Sequence, residues 1–329
     1  MENVARKALA PTVAGGYRLS ASLPFILVML SMLLPFWTGF SWEMVGLCVA
    51  SYYLRMFGVT AGYHRYFAHR TYKTGRVFQF LLAFLAETSV QKGVLWWAWH
   101  HRHHHKHSDT DFDTHSPVKQ SFFWSHMGWI MSDKFETPEL EKVKDLTKFP
   151  ELVWLHNHYL VPPVAYAALM LALFGVDGLV WGFFVSTAIL YHGTFTINSL
   201  SHVFGSQRYE TGDQSRNNFL LALITMGEGW HNNHHYYQSS TRQGFFWYEL
   251  DMSYLILKGL SWFGIVWDLR SPPRHVLEGN RLKKPARIDV PVVSSPGLAD
   301  GILAEMEAGA ASLAQSTGLV DAVARPSVE

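Results

Sequence analysis

The sequence predicts an all-α integral membrane protein, with four transmembrane helices in two hairpins and a helical cytosolic cap that gathers a histidine-rich site. Three observations lead there. Four apolar runs come in two closely spaced pairs, Lys and Arg flank only one end of each pair, and clusters among the 18 histidines lie next to those same ends. The expected spans are about residues 21–40, 42–63, 158–176 and 178–200.

The first run, Ala21 to Trp37 (ASLPFILVMLSMLLPFW), is apolar throughout, and Trp42 to Tyr63 follows after a few residues. A hydrocarbon core ~30 Å thick is crossed by about twenty helical residues, so each run suffices once its flanking aromatics are counted. Two runs in succession make a hairpin. A cleavable signal peptide would be one short run closed by small residues. Leu160–Phe174 and Gly178–Leu200 repeat the pattern. Arg6, Lys7 and Arg18 precede the first span, and Arg65, Arg70, Lys73 and Arg76 follow the second. The turns at Thr38–Trp42 and Val176–Asp177 carry no Lys or Arg. The positive-inside rule therefore places both turns outside, and both termini and the histidine site in the cytoplasm. A soluble all-helical protein is the competing reading of the same runs.

Between the hairpins, Val77–Trp99 starts apolar but carries Glu87, Gln91 and Lys92. That argues for a helix at the interface or in the cap, not a fifth span. Asp133–Glu151 is charged and reads as solvated. Residues 1–280 are expected to form the membrane domain. Residues 281–329, rich in Ala, Gly, Ser, Pro and Val, read as a flexible tail. The single cysteine, Cys48, excludes a disulfide framework and a Cys-based metal site. A net charge of +1 gives no surface for nucleic acid.

The histidines are spaced as ligand sets. In HHRHHHKHSD (His100–Asp109) the spacing His-x-x-His-His occurs twice, as His100, His103 and His104 or as His101, His104 and His105. His231-Asn232-Asn233-His234-His235 has one such register, whose imidazoles lie within about 100° of arc on a helix. His64 and His69 are five positions apart, about 140° on a regular helix. They converge only if the helix ends between them or flanks the site. His202, one turn after Asn198, ends the fourth span on the same side. Eight or more nitrogens exceed the capacity of one ion, so two are implied. Zinc is content with about four ligands, and nitrogen-rich sites with open positions suit iron and oxygen. Spacing alone does not name the metal.

FGVTAGYHRYFAHRTYKT (Phe57–Thr74), HRHHHKHSDT (His101–Thr110), FFWSHMGW (Phe122–Trp129), NSLSH (Asn198–His202) and GEGWHNNHH (Gly227–His235) occur in collinear order. Over about residues 20–270 the chain resembles the integral-membrane acyl desaturases of the stearoyl-CoA desaturase type. The resemblance implies four membrane helices, a cytosolic cap and a centre of two iron ions. With O2 and two electrons such a centre inserts a cis double bond into a saturated acyl chain, acyl-CoA being the leading substrate. The family's second box, His-Arg-x-His-His-Lys-x-Ser, falls on His101, Arg102, His104, His105, Lys106 and Ser108. It implies His101, His104 and His105 as the ligands. The helical arc agrees, since His100, His103 and His107 then share the opposite face. The catalytic metal set implied is His64, His69, His101, His104, His105, His202, His231, His234 and His235, with Asn198 reaching one iron through water.

Around that set, Glu228, Asp109 and Asp113 are candidates to orient imidazoles, or are surface and capping carboxylates. Trp97 matches a family tryptophan near the acyl tunnel. Trp96, Trp99, Trp124, Trp129 and Trp262 would line it or anchor at the interface. His126 sits in a matching motif without a ligand position. Acyl-CoA members carry Gln-Asn-Asp before the second box and Arg-Asp next to it. Here those places read Gln91, Lys92, Gly93 and Trp99, His100, and only Gln91 matches, as a substrate contact. Lys92 or Lys119 are alternative phosphate contacts. A phospholipid or carrier-protein acyl chain is therefore a second substrate class. The tail has no His pair for haem, so electrons are expected from a separate ferredoxin, rubredoxin or small haem cytochrome with its reductase. Two other functions compete: a related lipid or alkane hydroxylase, and a metal transporter. The transporter would line the depth of the spans with ligands, where only His192 stands. His100, His103 and His107 receive no role from sequence.

Overall fold

The structure, a computed structural model, describes residues 19–132 and 136–282. Arg6, Lys7, Arg18, Asp133 and the tail beyond residue 282 lie outside the described residues. What is described is almost wholly helical. Two-residue strands, Lys73–Thr74 and Val266–Trp267, pair antiparallel and tie the cap to the segment after the last long helix.

The first apolar run forms a helix over Leu19–Leu30, a tight turn at Ser31–Leu33 and a short helix at Pro35–Thr38. Ser41 then caps the second helix, its Oγ accepting from Met44 N at 3.2 Å. That helix runs over Trp42–Phe57 and continues without a break into wider, π-type turns over Gly58–Ala68. The widened part packs on the Arg76–Glu87 helix. A Cβ on Gly58 would stand 2.9 Å from Ala86 N, and one on Gly62 would stand 3.2 Å from Leu82 O. Only glycine lets the two backbones approach so closely.

The second pair of runs is helical over Val161–Asp177, Gly178–Val185 and Ser186–Asn198. Trp42–Ala68 and the 42 residues Val161–His202 are long and apolar enough to cross a membrane, and Ser22–Thr38 is a shorter apolar helix. A straight helix of the second length would reach roughly 60 Å. The backbone instead breaks at Gly175 (φ 67°, ψ −159°) and doubles back. Met170 and Gly182 meet across the bend, where a Cβ on Gly182 would lie 2.8 Å from the Met170 sulfur.

One charge in the second run holds the two pairs together. Arg55 is fully buried, and its five N–H groups go to Ser51 O, Thr88 O, Thr187 Oγ1, Phe183 O and Ser186 Oγ. A buried guanidinium is tolerated only when every donor is used.

Two expectations need correction. Val77–Trp99 is not one helix but parts of two, Arg76–Glu87 and Val94–His107. They meet at a turn where Val90 and Lys92 have φ of 61° and 68°, and Glu87 Oε1 accepts from Val94 N at 2.9 Å. The polar residues that argued against a span mark this turn. Asp133–Glu151 is not simply solvated either. Val143 and Leu146 are buried in the main core with Leu95, Ala98, Leu152 and Leu155, and Arg102 forks onto Asp145 with two bonds of 2.8 Å.

Candidate metal centre

Four segments bring nine imidazoles together. The π-type turns carry His64 and His69, and the Val94–His107 helix carries His101, His104 and His105. The short turn Leu200–His202 carries His202, and the six-residue helix His231–Tyr236 carries His231, His234 and His235. They form two groups, with ligand nitrogens within 4.8 Å of one another in each. The first holds His64, His69, His101, His105 and His234; the second holds His104, His202, His231 and His235. Neighbours His104 and His105 face different groups. His100 and His103 belong to neither.

His64 and His69 converge by one of the two expected routes, since the helix ends between them, at Ala68, with His69 as its cap. What the spacing did not anticipate is that the helix changes its period before it ends. His69 N donates to His64 O at 3.1 Å, a five-residue step. Such π-turns recur at functional sites.

Carboxylates fix the outer nitrogen of four rings. His104 Nδ1 donates to Asp113 at 2.9 Å, His202 Nδ1 to Asp109 at 2.9 Å, and His235 Nδ1 to Asp213 at 2.6 Å. His64 Nδ1 pairs with Glu228. Asp109, Asp113 and Glu228 were candidates from sequence. Asp213 was missed, because nothing marks it among the polar residues of its loop. There it is set by Ser215 N at 3.0 Å and Thr211 Oγ1 at 2.7 Å. Burial opposes the charge on these four carboxylates, yet the imidazole that each faces holds all of them below the usual range. Burial, with repulsion from neighbouring rings, pushes His69, His101, His105, His231 and His234 well below the ordinary histidine value. They are neutral and offer lone pairs. Burial also lowers His202, but Asp109 and its neighbours outweigh it and raise the ring to about 9. That is the pull toward a cation which the carboxylates exert.

These contacts test whether metal ions fit. A ring whose Nδ1–H is given to a carboxylate has a bare lone pair at Nε2. In the second group three such rings, His104, His202 and His235, gather with the fourth, His231, and His202 Nε2 stands 3.1 Å from His231 Nε2. In the first group Nε2–Nε2 separations are 2.8 Å for His69–His101, 2.9 Å for His101–His105 and His105–His234, and 3.0 Å for His64–His234. Two imidazoles bound at right angles, at the typical metal–nitrogen distance of ~2.0–2.1 Å, stand about 3 Å apart. The residues fit two metal ions.

The supporting side chains explain why other residues of the motifs are polar. Asn232 Oδ1 accepts from Arg208 N and Tyr209 N, both at 2.8 Å, and Asn233 Nδ2 donates to Gln243 O at 2.9 Å and Glu249 at 3.0 Å. They anchor the short ligand helix. Arg65, fully buried, bonds both Glu228 and Asp251. The helix that ends at Asn198 leads directly into the turn with His202, and Asn198 O accepts from Ser125 Oγ at 2.9 Å.

His100 packs among Trp96, Trp99 and Trp129, with ring centroids 3.9, 4.6 and 5.5 Å away. His103 Nε2 bonds Phe112 O at 3.0 Å, and His107 lies on His103. His192 bonds His126 at 3.0 Å, and His126 bonds Ser199 at 2.9 Å, so this pair joins two helices. Trp97 stacks between Tyr63 and His101, at 5.2 and 5.0 Å. Its Nε1 donates to Gln91, which in turn donates to Thr194 Oγ1 at 3.1 Å. Trp124 is buried with Nε1 on Thr114 O, whereas Trp262 is exposed. Lys92 lies over the Tyr159 ring and Lys119 near Asp111. A cavity of about 350 Å³ opens on the first group, lined by Ala68, His69, Arg102, His105, Lys106, Gln238 and Ser239.

Residues 40–261 match the family model described as fatty acid desaturase. The chain is 37% identical over 243 residues to the sn-1 stearoyl-lipid 9-desaturase of Synechocystis, covering 72% of this chain and 75% of that protein. It is 36% identical over 248 residues to a chloroplastic palmitoyl-monogalactosyldiacylglycerol delta-7 desaturase of Arabidopsis thaliana, covering 74% of this chain and 66% of the plant protein. It is 33% identical over 279 residues to a hex-5-enoyl-[acyl-carrier protein] acetylenase of Moorena producens, with coverage of 79% and 87%. Further relatives are named acyl-CoA desaturases.

Proposed function

The chain belongs to the fatty acid desaturase family, and from that premise we propose that it is a membrane di-iron desaturase that places a cis double bond in a saturated acyl chain. The observation that carries this is the pair of imidazole groups, nine lone-pair donors facing two centres with carboxylates behind four of them. Iron ions at the two positions would supply the reduction of O2 to two waters, with two hydrogen atoms from the acyl chain, two electrons from a separate donor and two protons from solvent. A ferredoxin, a rubredoxin or a small haem cytochrome is such a donor.

The protein's own part is to hold and exclude. Asp109, Asp113, Asp213 and Glu228 keep the rings in the tautomer that points Nε2 inward. Trp97, held by Gln91 and Thr194, walls the first group from the Ser186–Asn198 helix. The proposed topology is four spans with the centre in the cytoplasm. It is supported by the reversal at Gly175, the Lys and Arg distribution, and exposed Leu23, Leu27, Phe36, Trp37, Val164 and Leu173 along the runs.

The head group favoured is a glycerolipid. Trp99 and His100, which stand where acyl-CoA members carry Arg-Asp, are buried in an aromatic stack and present no phosphate site. The lipid-acting relatives point the same way. Acyl-CoA, the leading expectation from sequence, remains the second reading through the relatives so named. The test is expression of the full chain in a desaturase-deficient host fed deuterated palmitate. A cis monoene that has lost two deuteriums supports the proposal, and a hydroxy acid with no alkene overturns it. Purified chain offered labelled glycerolipid or labelled acyl-CoA then decides the head group.

A further inference from the structure

The two imidazole groups do not hold their ions equally. Resting on the di-iron reading, we propose that the second group (His104, His202, His231, His235) is the tight, retained metal position, and that the first group is the exchangeable one. Three independent features separate them.

The first is the charge behind the rings. Three of the four rings in the second group donate Nδ1–H to a carboxylate, Asp113, Asp109 or Asp213. These acids are themselves pinned. Asp109 accepts from Gln214 N at 2.8 Å, and Asp113 accepts from Asp109 N at 2.8 Å. Among the described residues, in the first group only His64 has a carboxylate, Glu228, and Arg65 donates two bonds of 3.1 and 3.0 Å to it. Two of its rings, His105 and His234, have a buried Nδ1 with no acceptor among the described residues, whereas in the second group His231 is the one such ring. A carboxylate partner raises the basicity of a ligand imidazole, and loss of one such partner costs about 10–100-fold in metal affinity.

The second feature is burial. Every ring of the second group is buried, whereas His69, His101 and His105 of the first are partly exposed. The third is access. The cavity of about 350 Å³ ends on His69 and His105, and its rim holds Lys106 and Arg102, the latter paired with Asp145. The Lys106 charge disfavours a divalent ion there, and the opening leaves water a path to replace a ligand. The first group has one nitrogen more. Against it stand three carboxylates compared with one that shares Arg65 with Asp251, and the carboxylate effect compounds.

The experiment uses the full chain in lipid nanodiscs, loaded with ferrous iron, and follows iron release to excess ferrozine. Two phases of one iron each are expected, separated by at least about tenfold in rate. Asp213→Asn should speed the slow phase about 10–100-fold and leave the fast phase unchanged. Glu228→Gln should change only the fast phase. Asp113→Asn repeats the first arm should Asp213→Asn lose its helical circular dichroism. A single phase releasing both irons, or Asp213→Asn acting only on the fast phase, overturns the inference. A chain that takes up no iron at all overturns the di-iron reading on which it rests, a distinct outcome.

Discussion

Replacing Arg65 with methionine removes a guanidinium that is wholly buried and stands between two acids. Its Nε and Nη2 donate to Glu228 Oε1 at 3.1 and 3.0 Å. Its Nη1 donates to Asp251 at 2.8 and 3.0 Å and to Thr241 O at 2.9 Å. Breaking a buried ion pair from one side typically costs ~3–5 kcal/mol, because the partner charge stays behind. Here the acids keep other donors. Asp251 still accepts from Gln243 N at 2.7 Å and Tyr254 N at 3.0 Å, and Glu228 keeps His64. The expected loss is therefore at the low end, about 3 kcal/mol, roughly a hundredfold in the folding equilibrium. Equilibrium unfolding of the full chain in micelles, followed by tryptophan fluorescence, measures it. Adding Glu228→Gln and Asp251→Asn to Arg65→Met removes the stranded charges and should restore most of the loss. A loss under about 1 kcal/mol, or a triple variant worse than the single one, would refute the assignment of Arg65 as the balance between these acids.

Glu87 is pushed up to about 8 by burial, against the lowering effect of Val94 N–H. Its carboxyl therefore stays protonated in the folded chain where the unfolded chain is ionised, and stability should fall as pH rises from about 4.5 to about 8. Glu87→Gln should flatten that slope and gain a few kcal/mol at the upper end, at about 1.4 kcal/mol per unit; a wild-type stability that rises over the window contradicts this. His101→Ala and His105→Ala should each lose iron measured by mass spectrometry, whereas His100→Ala and His103→Ala should keep two per chain. The reverse pattern would overturn the ligand register. Gly58→Ala puts a Cβ 2.9 Å from Ala86 N, where backbone cannot yield, and should cost about 1–3 kcal/mol in the same unfolding measurement.

What was legible in the sequence was local. The spacing in HRHHH and HNNHH sets which imidazoles share a helical arc, and apolar run lengths set where helices form, because both follow from the pitch of one helix. What the sequence left open depended on contacts between distant segments. The five-residue step from His64 to His69 lies in turns whose packing on Leu82–Ala86 needs glycine at positions 58 and 62. Val143 and Leu146 are buried because the Val94–His107 helix lies over them, in a segment whose charges suggested solvent. Asp213 meets His235 across 22 positions, and Arg65 meets Asp251 across 186. Spacing along a helix is fixed by covalent geometry and can be read from the chain. Which acid stands behind which imidazole is fixed only when those segments pack, and that decides how firmly each metal position is held.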